Sequence, residues 1–502
     1  MLKISDYIAM MLSFAGMLFF YLVFAGSLAV GKEPPQKISY MEMPSDFSWF
    51  AESKEENPYS IILCGEHRDS DKTKEMQLML SNLKKEYVVC DLVENITKEQ
   101  LSQLQCIIVT AENFEELGDV KALFEMAEGG KKVIFAALPQ EQGNNGYSKT
   151  IGILHNQGNT SIDGVMIFEP ILVQGMVYHD ELECMVDKVE IDSRCQKLII
   201  EKSKTKKEQK DLIPLLWERK YGEGCFYVVN GDYLTVEKGM GFLTGILAQI
   251  EEDFLYPVIN AKVDLLDGFP EYVNPYEQNI KQMYSRNNAM FLRDVMWPSL
   301  VKIGESNNLA FTGKRYQEVP QEEAANYQYL KGLMEKRGYE IVENTSQQAV
   351  EIPFISHGFE YRDEEIMNMQ SSISGLGLAS HQQDISEVTG KNAGNSKYEW
   401  SSYSLELSKL MKSLYDDTDW LDEVTLSQAN ERYKRYLVLK PQITKQEGQI
   451  RIETENFNEL CFYMLRTKKS VLPGEDYEVQ QVGTDAYLIK VHSAEILINL
   501  MG

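Results

Sequence analysis

The feature that most restricts how this chain can fold is an alternation. From residue 58, the short apolar runs "YSIILCG", "YVVCDLV", "CIIVTA" and "KKVIFAALP" are separated by segments with helical apolar spacing, among them "DKTKEMQLMLSNLKKE" and "FEELGDVKALFEMAEGG". Strands this apolar must be covered on both faces, and helices between successive strands are what cover them. Gly129-Gly130 closes one of those helices. The stretch from about 147 to 213 is polar and strand-like without a helical period. "PLLWERKYGEGCFYVVNGDYL" then returns to an apolar strand after a Gly-rich turn. Residues 58–252 are therefore expected to form a Rossmann-like, doubly wound α/β domain.

A second alternation starts at Tyr256. "PVINAKVDLLDG", "LAFTGK", "AVEIPFISHG" and "LGLASHQQD" read as strands, and "EEAANYQYLKGLMEKRG", "RDEEIMNMQSSISG", "SSYSLELSKLMKSLYDD" and "TLSQANERYKRYLVL" as helices. Repeated βα units of this length predict a (β/α) barrel or partial barrel over 255–440, with chemistry on the loops at the carboxyl ends of its strands. After about 440, short alternating strands such as "GQIRIETEN" and "AYLIKVHS" predict a β-sandwich-like cap over 441–502. Three domains agree with the length of 502 residues.

Ahead of the domains, Tyr7 to Val30 carries no charged residue. The run exceeds the apolar core of a signal peptide and suffices for a bilayer span of about 20 residues. It predicts a transmembrane anchor over 1–31, a polar linker over 32–57, and a single-pass protein of the cell membrane with its body outside the cytoplasm. "SLA" at 27–29 keeps cleavage open as the alternative. Fifty Lys+Arg against 76 Asp+Glu give a net charge of -26, which excludes nucleic acid as a partner because phosphate binding needs a basic footprint. Seven cysteines occur without a CxxC. Cys64, Cys90 and Cys106 lie in apolar runs and read as small buried hydrophobes, not as a disulfide framework or a zinc site.

The chemistry-bearing residues fall at strand ends. "DLLDGFP" (264–270), "FTGKRY" (311–316), "ISHGFEY" (355–361) and "ASHQQD" (379–384) supply aspartates and two Ser-His pairs. Carboxylates and imidazoles converging at a barrel mouth can hold a divalent metal. Asp264 stands three residues before Asp267 on one strand, so the two side chains point to opposite faces. Asp267-Gly268 also reads as a turn dipeptide. His381 and Asp384 can serve merely to bond each other and cap the next segment.

"YPVINAKVDLLDGFP", "FLRDVMWPSL", "SHQQDISE" and "DWLDEVTLSQANERY" resemble polysaccharide deacetylases, and most nearly an uncharacterised membrane-anchored branch similar to the deacetylase of Pel-type exopolysaccharide systems. The domain at 58–252 resembles flavodoxin-like, glutamine-amidotransferase-like domains by pattern, without their nucleophilic Cys elbow. The deacetylase resemblance implies that Asp267 stands at the catalytic base, and that His381 and Asp384 fall on a later catalytic motif. Gly268 stands where the family places a metal-binding Asp. The metal-binding His-x3-His is missing, because no two of the six histidines are four apart. That leaves His357 as the one candidate metal ligand near that position.

The expected function follows from this combination: a membrane-anchored, extracytoplasmic protein of exopolysaccharide production or modification, with a degenerate deacetylase domain that binds glycan and holds no cofactor. An active zinc- or other divalent-metal-dependent deacetylase with an unusual ligand set is one alternative. A scaffold for a polysaccharide synthase or export complex is the other. Tyr272, Trp297, Tyr316 and Tyr361 are the expected sugar-stacking aromatics.

Overall fold

The computed structural model describes residues 58–102, 104–143, 145–203, 211–343, 351–390, 399–416 and 418–501. β1 (Ser60–Leu63), β2 (Tyr87–Cys90), β3 (Cys106–Val109) and β4 (Lys132–Phe135) are almost wholly buried. β1 pairs in parallel with β2 on one side and β3 on the other, and β4 follows β3. Helix α1 (Asp71–Asn82) follows β1, with Ser70 accepting from the Thr73 amide as its cap. Helix α2 (Val120–Glu128) buries Val120, Leu123, Phe124 and Ala127, the apolar stripe its sequence spacing prescribes.

The polar stretch that follows becomes β5 (Ile153–Ile162), β6 (Val165–Ile167), β7 (Val177–His179), β8 (Cys184–Ile191) and β9 (Gln196–Glu201), with β10 (Pro214–Tyr221) and β11 (Gly224–Val229) after it. β11 adds in parallel to β4, and β10, β9, β6 and β7 extend the sheet antiparallel. The order is β2-β1-β3-β4-β11-β10-β9-β6-β7, with β5 and β8 paired apart. The amino-terminal domain is thus half parallel and half antiparallel. Phe114, Phe124, Phe135, Trp217 and Phe226 fill its core, each ring contributing about 1.5–3 kcal/mol by leaving water.

Helix α3 (Met240–Ile250) leads into β12 (Phe254–Val258). The sequence reads 256–267 as one strand, but the chain breaks it. Asn260 takes a left-handed φ of 53°, and β13 (Ala261–Asp267) starts afresh in another sheet. β13 is joined by β14 (Phe311–Arg315), β15 (Glu340–Glu343), β16 (Ser356–His357) and β17 (Leu378–Asp384), all parallel, in the order β15-β14-β13-β17-β16.

This five-stranded sheet is open, so of the barrel and partial barrel expected, the closed barrel is corrected. After β17, helices α5 (Trp400–Leu414) and α6 (Leu426–Val438) follow one another without a sheet strand between them. Among the described residues no strand joins β15 to β16. Helix α4 (Asp363–Leu376), between β16 and β17, lies against α3. The approach is close enough that a Cβ on Gly241 would stand 2.6 Å from the Ser371 carbonyl oxygen, so glycine is required there.

The last strands are β18 (Lys440–Gln446), β19 (Gln449–Glu455), β20 (Cys461–Arg466), β21 (Ser470–Val471), β22 (Tyr477–Gly483), β23 (Ala486–Val491) and β24 (Glu495–Met501). They form two four-stranded sheets, β12-β20-β23-β22 and β18-β19-β24-β21. Inward residues alternate along β19 and β24, and Leu255, Ile452, Tyr463, Leu465, Ile489 and Ile498 are among those that close the core.

The transmembrane helix expected over Tyr7–Val30 finds no support among the described residues. No described helix is long and apolar enough to cross a membrane. That run and the linker 32–57 lie outside the described residues.

Candidate functional site

The sequence motifs meet at the carboxyl edge of the five-stranded sheet. β13 lies between β14 and β17, so Asp267 is flanked by Lys314 and Asp384 in register. Paired residues of a parallel sheet share a face. Asp267, Asp384 and Gln382 therefore lie on one face, with Asp264, His381 and Gln383 on the other.

Asp267 Oδ2 accepts from Gln382 Nε2 at 3.0 Å, and its Oδ1 accepts from the Tyr316 hydroxyl. Tyr316 is 49% exposed. Its phenol is pushed above its ordinary pKa by burial first, then by the bond to Asp267 and the charges of Asp267, Asp384 and Glu351. The Lys314 ammonium sits 5.7 Å from the Tyr316 ring centroid. Glu271 Oε1 accepts from the amides of Tyr316 and Gln317, which fixes the loop that carries the tyrosine.

Gly268 turns the chain with φ +73°, and a Cβ built there meets nothing within 4 Å. The buried Phe269 follows, its amide bonded to the Lys314 carbonyl at 3.1 Å. The Asp-Gly pair is thus a strand-ending turn whose carboxylate is engaged at the rim.

The histidines stand deeper. His381 is fully buried, and its Nδ1 lies 2.9 Å from Ser356 Oγ, which donates to Glu365 Oε2 at 2.7 Å. Burial, and then the neighbouring His357, pushes the His381 pKa down to about 3. Burial also lowers that of His357, while the Phe354 carbonyl opposes the shift, and burial raises that of Glu365. The Nε2 of each histidine is buried and without a hydrogen-bond partner among the described residues.

Asp384 does not meet His381. Its Oδ1 accepts from the Ser386 amide at 2.8 Å and caps the turn after β17. Asp264 is fully buried, accepts from Gln383 Nε2 at 2.7 Å, and has a pKa raised well above the usual carboxylate value by that burial.

The four expected stacking aromatics are not gathered into one groove. Tyr316 stands on Asp267. Tyr272 packs edge-on to Tyr327 at 6.2 Å. Tyr361 is 47% exposed and donates to Asp363. Trp297 is only 4% exposed and packs on Tyr339 in the core, so no sugar can stack on it. Sequence reasoning missed Gln382 and Glu365, and took Ser356 only as half of a Ser-His pair. The period-two alternation of "SHQQD" does place Gln382 and Asp384 on one face, and that signal would have found Gln382.

The residues present do not fit the zinc centre that the deacetylase resemblance implies. A catalytic zinc takes about three protein ligands. Position 268 offers no donor atom, and no group of three or more His, Cys, Asp or Glu among the described residues is placed to hold a metal.

A family model described as "Uncharacterised protein conserved in bacteria (DUF2194)" matches residues 164–331 and 323–488. A comparison with curated proteins returns no match. Among solved structures, the carbohydrate deacetylase Agd3 is similar at a TM-score of 0.51 and 9% identity, over 89% of this chain and 99% of that one. That likeness shows a shared fold. An exo-beta-1,4-mannosidase from Opitutaceae bacterium strain TAV5 matches at TM-score 0.25 and 16% identity, over 38% of this chain and 33% of that one. A ThuA-like protein from Bacteroides uniformis matches at 0.29 and 10%, over 39% and 94%. Neither of the last two likenesses bears on function.

Proposed function

The chain belongs to the bacterial family DUF2194, and from the fold it shares with the carbohydrate deacetylase Agd3 and from the sheet edge we propose a carbohydrate-binding protein of exopolysaccharide production or modification, built on a deacetylase fold and holding glycan without hydrolysing it. The observation that carries the reading is the engagement of Asp267. Its carboxylate is tied to a half-exposed tyrosine and a glutamine beside a glycine turn. A carboxylate and a phenol at a rim are what a sugar needs: an acceptor for hydroxyl groups and an aromatic face for a ring.

A second reading is favoured by a different observation. The unpartnered Nε2 atoms of His357 and His381 are lone pairs or donors held ready beneath the edge. An active deacetylase would need to use them through an unusual ligand set. One experiment separates the two. Purified full-length protein is incubated with acetylated amino-sugar oligomers, and acetate release and binding heat are both measured. Saturable binding without acetate, weakened by Tyr316→Ala, supports the glycan-binding reading. Acetate release abolished by chelator and by Asp267→Asn overturns it.

A further inference from the structure

The amino-terminal sheet holds a second cleft that the deacetylase resemblance does not reach. From β1 the chain runs outward to β2, then returns past β1 to β3. Between β1 and β3 the strand order reverses, and the loops at their carboxyl ends part. In open parallel sheets that crevice is where ligands bind. A cavity of about 430 Å³ lies there, between the start of α1, the loop after β3 and the segment after β11. That volume is in the range of small-molecule sites.

The lining defines the ligand. Ser70, Thr110 and Thr235 bring hydroxyls, and Asp71, Glu75, Glu112 and Asp232 bring carboxylates, against the single ammonium of Lys72 and the imidazole of His67, which faces Glu116 at 3.6 Å. Thr110 is 4% exposed and bonded to the buried Thr73 hydroxyl at 2.8 Å, so the floor is rigid and polar. Lys72 is taken up by Asp232, and Glu75 by the Val236 amide at 2.5 Å. Asp71 and Glu112 remain to meet a ligand.

An anion, the usual guest of a helix amino terminus, is repelled by four carboxylates against one lysine. Hydrogen-bond donors and a positive charge are what the site accepts. We propose that this crevice binds a hexosamine unit with a free, protonated amine, its hydroxyls on the threonine and serine oxygens and its ammonium between Asp71 and Glu112. The choice of a sugar over another hydroxyl-bearing amine rests on the carbohydrate reading above.

The test is calorimetry on the full chain with a glucosamine tetramer and an N-acetylglucosamine tetramer. Variants are Asp71→Asn with Glu112→Gln, and separately Asp267→Asn with Tyr316→Ala. Both pairs replace exposed or rim side chains, and circular dichroism checks that each variant is folded. The expected result is that the crevice variants weaken the free-amine tetramer by about tenfold or more, the loss of roughly one charge-assisted contact. They leave the acetylated tetramer unchanged, and added salt weakens only the free-amine tetramer. Free-amine binding that survives the crevice variants but fails in the Asp267/Tyr316 variants overturns the crevice and leaves the sheet-edge reading standing. Equal loss of both tetramers in the crevice variants overturns the ammonium assignment. No binding of either tetramer by the wild type overturns both readings.

Discussion

Asp264 and Asp267 stand three residues apart on one strand and live in different media. Asp264 faces the core, where its partner is a buried glutamine and burial drives its carboxyl toward the neutral form. Asp267 faces the rim, where a phenol and an amide hold it against solvent. Strand parity alone separates them. The lesson is that an acidic pair in sequence is not an acidic pair in space. A buried carboxyl is a structural group with a stability role, while a rim carboxyl is available to a ligand.

The largest expected effect breaks the buried side of that comparison. Asp264→Ala leaves the Gln383 amide without its acceptor and opens a void, and is expected to cost about 2–4 kcal/mol by urea unfolding. Asp264→Asn keeps the shape and is expected to cost far less near pH 4. Its sign then depends on pH. The folded-state pKa of Asp264 lies above the unfolded value of 3.8, so the folded state holds the extra proton, and the contribution of this group to wild-type stability falls as pH rises above about 4. The Asn variant is spared that fall and gains on the wild type with rising pH. A difference that does not change with pH would mean that Asp264 is charged in the fold.

His381 runs the opposite way. Its folded pKa of about 3 lies below the ordinary 6.5, so the unfolded chain takes up the proton first. Stability is lost as pH falls from about 6.5 toward 3. At pH 5 the loss relative to pH 8 is about 2 kcal/mol. His381→Gln is expected to flatten the acid side of the stability curve by about that amount.

Smaller effects belong to the rim. Gly268→Asp places a side chain at φ +73° with open space around it. It is expected to cost about 1 kcal/mol from the left-handed backbone alone, in thermal unfolding. Tyr316→Phe removes one hydrogen bond to an exposed carboxylate and is expected to cost under about 1 kcal/mol, while weakening glycan binding. A Tyr316→Phe loss as large as that of Asp264→Ala would erase the distinction between core and rim.

Local patterns were legible where burial is simple. The runs read as strands over "IILC", "YVVC" and "CIIV" are β1, β2 and β3, because strands covered on both faces are apolar throughout. β15 escaped notice because "EIVE" is a half-exposed edge strand. "AVEIPFISHG" promised a long strand but, among its described residues, contributes Ser356–His357 alone, since Pro353 cannot donate to a ladder. The barrel was inferred from the count of βα units, and no local pattern says whether a sheet closes. In the site, Asp267 and Gly268 could be placed from "DLLDGFP". The Tyr316 bond could not, because it depends on how Glu271 holds a loop nearly 50 positions away. Trp297 reads as a stacking residue only until packing puts it in the core.

The break at Asn260 has a consequence for how the chain is made. β12 leaves α3 early in the sequence but finds its partner in β20, Phe254 opposite Arg466 and Val258 opposite Phe462. During synthesis from the amino terminus, Phe254, Leu255 and Tyr256 emerge long before the strand that shields them. The segment beside the candidate site therefore waits, with an apolar edge open to chance pairing, until β20 leaves the ribosome. A chain cut short before Cys461 would leave β12 without its ladder partner in β20.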